Sequence, residues 1–176
     1  MDQPASMDAL SDVSAMLDCL SKGQTLGPQL GMTPESQEAL YLLAYRFYGQ
    51  AKYEQAEPMF RFLVMANHLD RRFSLACGAC ARMLRHHADA VAFYGLASLL
   101  DLTDPLPSMY MAEHLLALGE RAKARQMLDL GLAQAKKHEH HRAHLHRLQA
   151  LQVLLDLSSA TASPATTPTA PSEQAT

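Results

Sequence analysis

The nine residues "KYEQAEPMF" (52–60) return in altered form as "HHADAVAFY" (86–94) and again as "ERAKARQML" (120–128). Ala56, Ala90 and Ala124 hold the same place in each, with successive alanines 34 residues apart. Four positions further on stand Phe60, Tyr94 and Leu128, and seven further on Leu63, Ala97 and Gly131. Twelve or thirteen positions earlier come Leu43-Ala44, Cys77-Gly78 and Met111-Ala112. A period of this length with this pattern describes a pair of antiparallel helices per repeat, with small residues where the two touch and a large one where they splay. One such pair cannot bury its apolar face alone, so the stacking of neighbours has to supply the core.

The period is that of the tetratricopeptide repeat, and the expected fold is all-α: a solenoid of three tandem repeats with an N-terminal helix and a C-terminal capping helix. The helix pairs fall at about 37–49 and 53–67, 71–84 and 87–101, 107–118 and 121–136. The position usually held by tryptophan carries Leu40, Ser74 and Ser108, and the turn glycine occurs only as Gly119. In "GMTPES" (31–36), Thr33 suits an N-cap with Pro34 at the first helical position. In "DLTDPLP" (101–107), Pro105 and Pro107 stop one helix and favour starting the next.

Four regions follow: an N-terminal helix and linker (1–33), the repeats (34–136), a capping helix (137–157) and a tail (158–176). Leu10, Val13, Leu17 and Leu20 make a seam-like stripe suited to dimerisation. It is joined to the repeats by the glycine-bearing "SKGQTLGPQLG" (21–31). The capping helix carries Leu145, Leu148, Leu151, Val153, Leu154 and Leu155. The tail has no large apolar residue and three prolines, so disorder is expected there.

The bulk composition narrows the function classes. Nearly half the residues are apolar, none is tryptophan, and the formal net charge is -3, which leaves no electrostatic footprint for nucleic acid or an anionic membrane. "MDQPASMDAL" lacks the basic and apolar regions of a signal peptide. No apolar run approaches the roughly 18 residues of a membrane span. The three cysteines do not suggest a disulfide framework. A soluble protein of a reducing cytosol, with no stable membrane association, is expected.

"YLLAYRFY" (41–48) carries two stripes. Leu40, Leu43, Ala44 and Phe47 keep core spacing, while Tyr41, Tyr45 and Tyr48 form a second stripe turned away from the first. In such a solenoid, the first helix of each pair lines the concave surface. The concave positions are Glu38, Tyr41, Tyr45, Tyr48 and Gly49 in repeat one, and Arg72, Leu75, Ala79, Arg82 and Met83 in repeat two. Repeat three offers Leu106, Met109, Glu113, Leu116 and Ala117. A groove rich in Tyr, Leu and Met suits an extended apolar segment whose backbone the hydroxyls can also engage. The other possible occupants are the chain's own N-terminal helix and its tail.

The stretch "QLGMTPESQEALYLLAYRFYGQAKYEQAEPMFRFLVMANHLDRRFSLACGACARM", followed by "DLTDPLPSMYMAEHLLALGERAKA", resembles the class II chaperones of bacterial type III secretion. The likeness runs over roughly residues 25 to 136 and is carried by the LAY-x-x-Y, RF-x-L-x-x-GAC and A-E-x-L-L-x-x-G-E segments. The resemblance implies three repeats and an N-terminal helix involved in homodimerisation. It implies partners that are hydrophobic translocator proteins, held in the bacterial cytoplasm by a short proline-containing segment (P-x-L-x-x-P-like) in the groove. It maps the family's groove tyrosines onto Tyr41, Tyr45 and Tyr48. Ala51 stands where a turn glycine is usual, His87 where an aromatic is frequent, and the tail is long.

Two further motifs have spacings known from metal or redox chemistry. "CGAC" (77–80) has redox or metal spacing but falls at helix core positions, which favours a buried pair of small residues. "KKHEHHRAHLHR" (136–147) places His140 and His144 at i, i+4 near Glu139. Two imidazoles fall short of a zinc ligand set, and the HExxH spacing is absent. A solvated helix end is expected, with no metal and no cofactor. The leading function is thus a non-enzymatic secretion chaperone. The alternatives are an adaptor that binds a transcriptional regulator through the same repeats, and a metal enzyme built on the histidines.

Overall fold

The computed structural model describes residues 22–137 and 139–160. The stripe of Leu10, Val13, Leu17 and Leu20 and the tail beyond residue 160 lie outside them. Among the described residues seven α-helices follow one another: α1 (Pro34–Gly49), α2 (Tyr53–Ala66), α3 (Arg71–Met83), α4 (His87–Leu100), α5 (Pro105–Ala117), α6 (Arg121–Lys137) and α7 (Leu145–Ala160). A 3-10 turn (Glu139–His144) precedes the last, and no strand occurs among the described residues. No helix there is long and apolar enough to cross a membrane.

Local chemistry explains the boundaries. The Ser36 N–H donates to Thr33 Oγ1 at 3.2 Å and caps α1. Asp70 caps α3 by accepting from Arg72 N–H at 3.0 Å, and Asp104, one period on, caps α5 by accepting from Leu106 N–H at 2.8 Å. Each cap satisfies a donor that helix geometry leaves unpaired. Because Asp104 caps, α5 begins at Pro105 and not near 107.

The turn inside each repeat closes with the same bond. Lys52 N–H reaches Phe47 O, His86 N–H reaches Ala81 O, and Glu120 N–H reaches Leu115 O, each at 2.9 Å. This six-to-one closure needs a left-handed residue just before the donor. Ala51, Arg85 and Gly119 supply it with φ of 59°, 60° and 79°. Only the third is glycine, so the first two turns carry strain of about 1–2 kcal/mol each. Arg85→Gly is therefore expected to raise stability by about 0.5–1 kcal/mol after the entropy cost of glycine. A thermal melt with no upward shift would contradict that account.

The core follows the repeat register. Ala56, Ala90 and Ala124 are fully buried, as are Phe60 and Leu63, with Tyr94 and Leu128 nearly so. Gly78 must be glycine because a Cβ there would meet the Tyr94 ring at 2.9 Å. Ser108, at a tryptophan position, is buried and donates to Gln134 Oε1 at 3.0 Å.

Two expectations about the core are corrected. Of Leu40, Leu43, Ala44 and Phe47, only Ala44 is fully buried; Leu43 is exposed and the other two are half-buried. No repeat precedes the first among the described residues, so the outer side of α1 lacks the neighbour that α3 and α5 possess. At the other end α7 buries Leu148 and Leu155 against α5 and α6, but Val153 and Leu154 are exposed. They lie on the side of α7 turned away from the stack.

Candidate peptide-binding groove

α1 and α3 enclose a cleft of about 310 Å³, floored by Phe60 of α2 and walled by Tyr41, Tyr45 and Tyr48 on one side and Arg72, Leu75, Ala76 and Ala79 on the other. Six of these eight are groove positions read from the sequence. The tyrosines lie side by side, with Tyr41 and Tyr45 ring centroids 6.0 Å apart and Tyr45 and Tyr48 6.3 Å apart. Tyr41 leans on Phe60 and Phe73 at 5.7 and 5.6 Å, and Tyr48 abuts Tyr53 edge-on at 5.2 Å.

Their exposure differs. Tyr41 and Tyr48 are half-buried, and desolvation raises both hydroxyl pKa values. Tyr45 is 56% exposed. It stays open to solvent while Tyr41 and Tyr48 stack on either side of it. Such an arrangement can receive apolar groups against rigid aromatic walls and keeps phenolic hydroxyls ready to bond a peptide backbone.

Charge is arranged along the same face. Arg72 sits 5.1 Å over the Tyr41 ring and pairs with Glu38 at 3.0 Å and Asp70 at 2.8 Å. Glu113 pairs with Arg147 at 2.6 Å. Both Glu38–Arg72 and Glu113–Arg147 span one period, so the 3-10 turn and α7 continue the arithmetic of the repeats. Arg82 lies 4.9 Å over Tyr110, and Arg147 lies 5.2 Å from the same ring. Beneath them, Tyr94 stacks on Tyr110 at 4.9 Å. Buried His114 faces His87, Nδ1 to Nδ1, at 3.0 Å. Burial, with Arg82 and His87 nearby, lowers its pKa to about 4.

Other sequence-predicted positions divide. Leu75, Leu106, Arg82, Glu113 and Leu116 are half-buried, and Met83 is exposed. Met109 is fully buried and packs with Leu128, Leu132 and Leu148. It belongs to the core, because α7 covers the spot that an open third repeat would have left free. The sequence assigned Phe60 to the repeat core and gave Tyr110 and Arg147 no groove role. Arg147 stands one period after Glu113, a signal that continuing the repeat numbering would have caught.

The cysteine pair and the potential metal ligands behave as buried or surface chemistry. Cys77 and Cys80 are free and buried, and desolvation pushes the Cys80 thiol up to about 12 and Cys77 higher still. Neither supplies thiolate near neutrality. Among the described residues, one group of potential metal ligands comes together, Glu57, His86 and Asp89. Arg61 already donates to both of its carboxylates, so a cation's place is filled by the guanidinium. The side chain of His140 lies outside the described residues.

No protein-family model matches the sequence. Low calcium response locus protein H of Yersinia pestis is 34% identical over 116 residues, spanning 66% of this chain and 69% of that protein. PcrH of Pseudomonas aeruginosa, solved with the chaperone binding region of PopD, has a TM-score of 0.68 at 28% identity, covering 73% of this chain and 97% of PcrH. The Yersinia enterocolitica type III secretion chaperone SycD, solved with a peptide of the translocator YopD, has a TM-score of 0.67 at 28% identity, covering 72% and 97%. SycD is also known in an alternative dimer. Identity across two thirds of both sequences, on the same solenoid of repeats, makes the chain a member of the class II chaperones of type III secretion.

Proposed function

We propose that the protein is a cytoplasmic chaperone that binds hydrophobic translocator proteins through the concave face of its repeats and keeps them soluble and competent for secretion. It acts by occupancy, without turnover. The observation that carries this reading is the tyrosine cleft between α1 and α3, in a chain whose relatives PcrH and SycD were solved holding the chaperone binding region of PopD and a peptide of the translocator YopD. An apolar segment released into water gains by aggregating or by entering a bilayer. Seating its anchor side chains among Tyr41, Tyr45, Tyr48 and Leu75 removes that drive, and the hydroxyls can satisfy part of the segment's backbone.

Co-expression with a translocator encoded beside a type III secretion apparatus tests the reading. The translocator is expected in a soluble complex with the chaperone and in aggregates without it; aggregation in both cases would overturn the proposal. In the same experiment, light scattering reports assembly. We assign dimerisation to the stripe Leu10, Val13, Leu17 and Leu20 on sequence grounds, so removal of residues 1–21 is expected to halve the mass of the free chaperone. An unchanged mass would place the dimer contact elsewhere.

A further inference from the structure

Three arginines border the groove, and two of them are neutralised: Arg72 by Glu38 and Asp70, and Arg147 by Glu113. No carboxylate among the described residues pairs with Arg82. Its guanidinium is half-buried over Tyr110, with the Tyr48 and Tyr94 hydroxyls within hydrogen-bonding reach and His114 nearby, and its enclosed Nε has no hydrogen-bond partner. An arginine keeps its charge in any such setting. Neutral hydroxyls and aromatic faces compensate only part of the hydration it has lost, whereas a carboxylate meets the guanidinium fork with two parallel charge-assisted bonds.

Tyr48 joins this spot to the apolar cleft, since it both walls the cleft and adjoins Arg82. The neighbourhood also says which kind of anion fits. Glu38, Asp70 and Glu113 stand along the same face, and the chain is negative overall, which repels a polyanion but not a single carboxylate on an otherwise neutral segment.

We propose that Arg82 forms a carboxylate subsite of the groove: the extended segment held there sets an aspartate or glutamate against this guanidinium, beside the apolar residue seated among Tyr41, Tyr45 and Tyr48. The proposal rests on the groove reading above and adds the chemistry of its ligand. It makes Arg82 a selectivity residue. Apolar anchors without a neighbouring acid bind more weakly, because they leave the half-buried cation unanswered.

The test uses N-acetylated, C-amidated hexapeptides of the pattern Pro-x-Leu-x-x-Pro, with alanine at the variable positions except for a single Glu or Gln placed at each in turn. These are titrated calorimetrically into the full chain, into Arg82→Gln and into Tyr45→Ala. At one position, Glu is expected to bind the unaltered chain about tenfold or more tighter than Gln, the range of a hydrogen bond to a charged group. That preference should shrink as ionic strength rises and vanish in Arg82→Gln, whose affinity for the Gln peptide should match that of the unaltered chain. Equal binding of Glu and Gln at every position, while Tyr45→Ala still weakens all the peptides, overturns the subsite and leaves the groove standing. Peptides that do not bind, or that bind regardless of Tyr45→Ala, remove the groove reading and the subsite with it. The comparison in the unaltered chain decides the matter even if Arg82→Gln folds poorly.

Discussion

Phe73→Ala is expected to cost about 3–5 kcal/mol of folding stability, the range for emptying a buried aromatic site. Phe73 lies on α3 with 1% of its surface exposed and packs in one cluster with Ala44, Phe60, Leu63 and Cys77. Removing the ring forfeits its transfer energy and leaves a void walled by α1 and α2, which turns and neighbouring helices hold in place. For a chain of this size each kcal/mol moves the melting midpoint by roughly 2–4 °C, so the drop should be about 6–20 °C. Leu99→Ala is the control. That side chain is 74% exposed on α4, and its truncation should stay within about 0.5 kcal/mol. Equal melting temperatures for the two variants would refute the burial pattern on which the repeat register rests. Because Tyr41 leans on Phe73, the variant should also loosen the cleft wall.

The six repeat helices were legible to within three residues because a period of 34 fixes them several times over, whereas the capping helix, outside the period, begins at Leu145 after a 3-10 turn and not at 137. Ala56, Ala90 and Ala124 need only a small side chain at one crossing, and three copies of that demand leave little freedom. Position in a repeat does not say whether a neighbour stands on the face it names. Leu43 and Met109 show the two ways this fails. Leu43 holds a core position in a repeat with nothing packed outside it among the described residues, and so it is exposed. Met109 holds a concave position in a repeat that α7 covers, and so it is buried.

The same logic governs Arg147. Within "KKHEHHRAHLHR" it reads as one more charge on a solvated helix end, yet its ion pair with Glu113 puts it on the rim of the groove. The pairing of Arg82 with Tyr110 joins α3 to α5. No local pattern marks such a contact, since it depends on how two helices one repeat apart are set against each other.

Tyr45→Ala is expected to give the opposite signature to Phe73→Ala: a protein that melts almost normally and holds its ligand poorly. Tyr45 is 56% exposed, so the folded chain has little of its burial energy to lose. What it does lose is stacking on Tyr41 and Tyr48, about 1 kcal/mol for aromatic pairs of this kind. In the complex, the ring should be covered by an apolar side chain of the bound segment, and covering an aromatic is worth roughly 1.5–3 kcal/mol. Ordering an extended peptide offsets part of that gain for the complex as a whole, but the cost is common to both forms of the chaperone and cancels in their comparison. The difference should therefore appear as about tenfold or more weaker binding. Truncating Tyr41, which also braces Phe60 and Phe73, should damage stability and binding together, so Tyr45 is the cleaner probe. Calorimetric titration of a translocator segment, with melts of the same samples, separates the two effects. Undiminished affinity in a folded Tyr45→Ala protein would mean that the exposed aromatic stripe faces something other than the ligand.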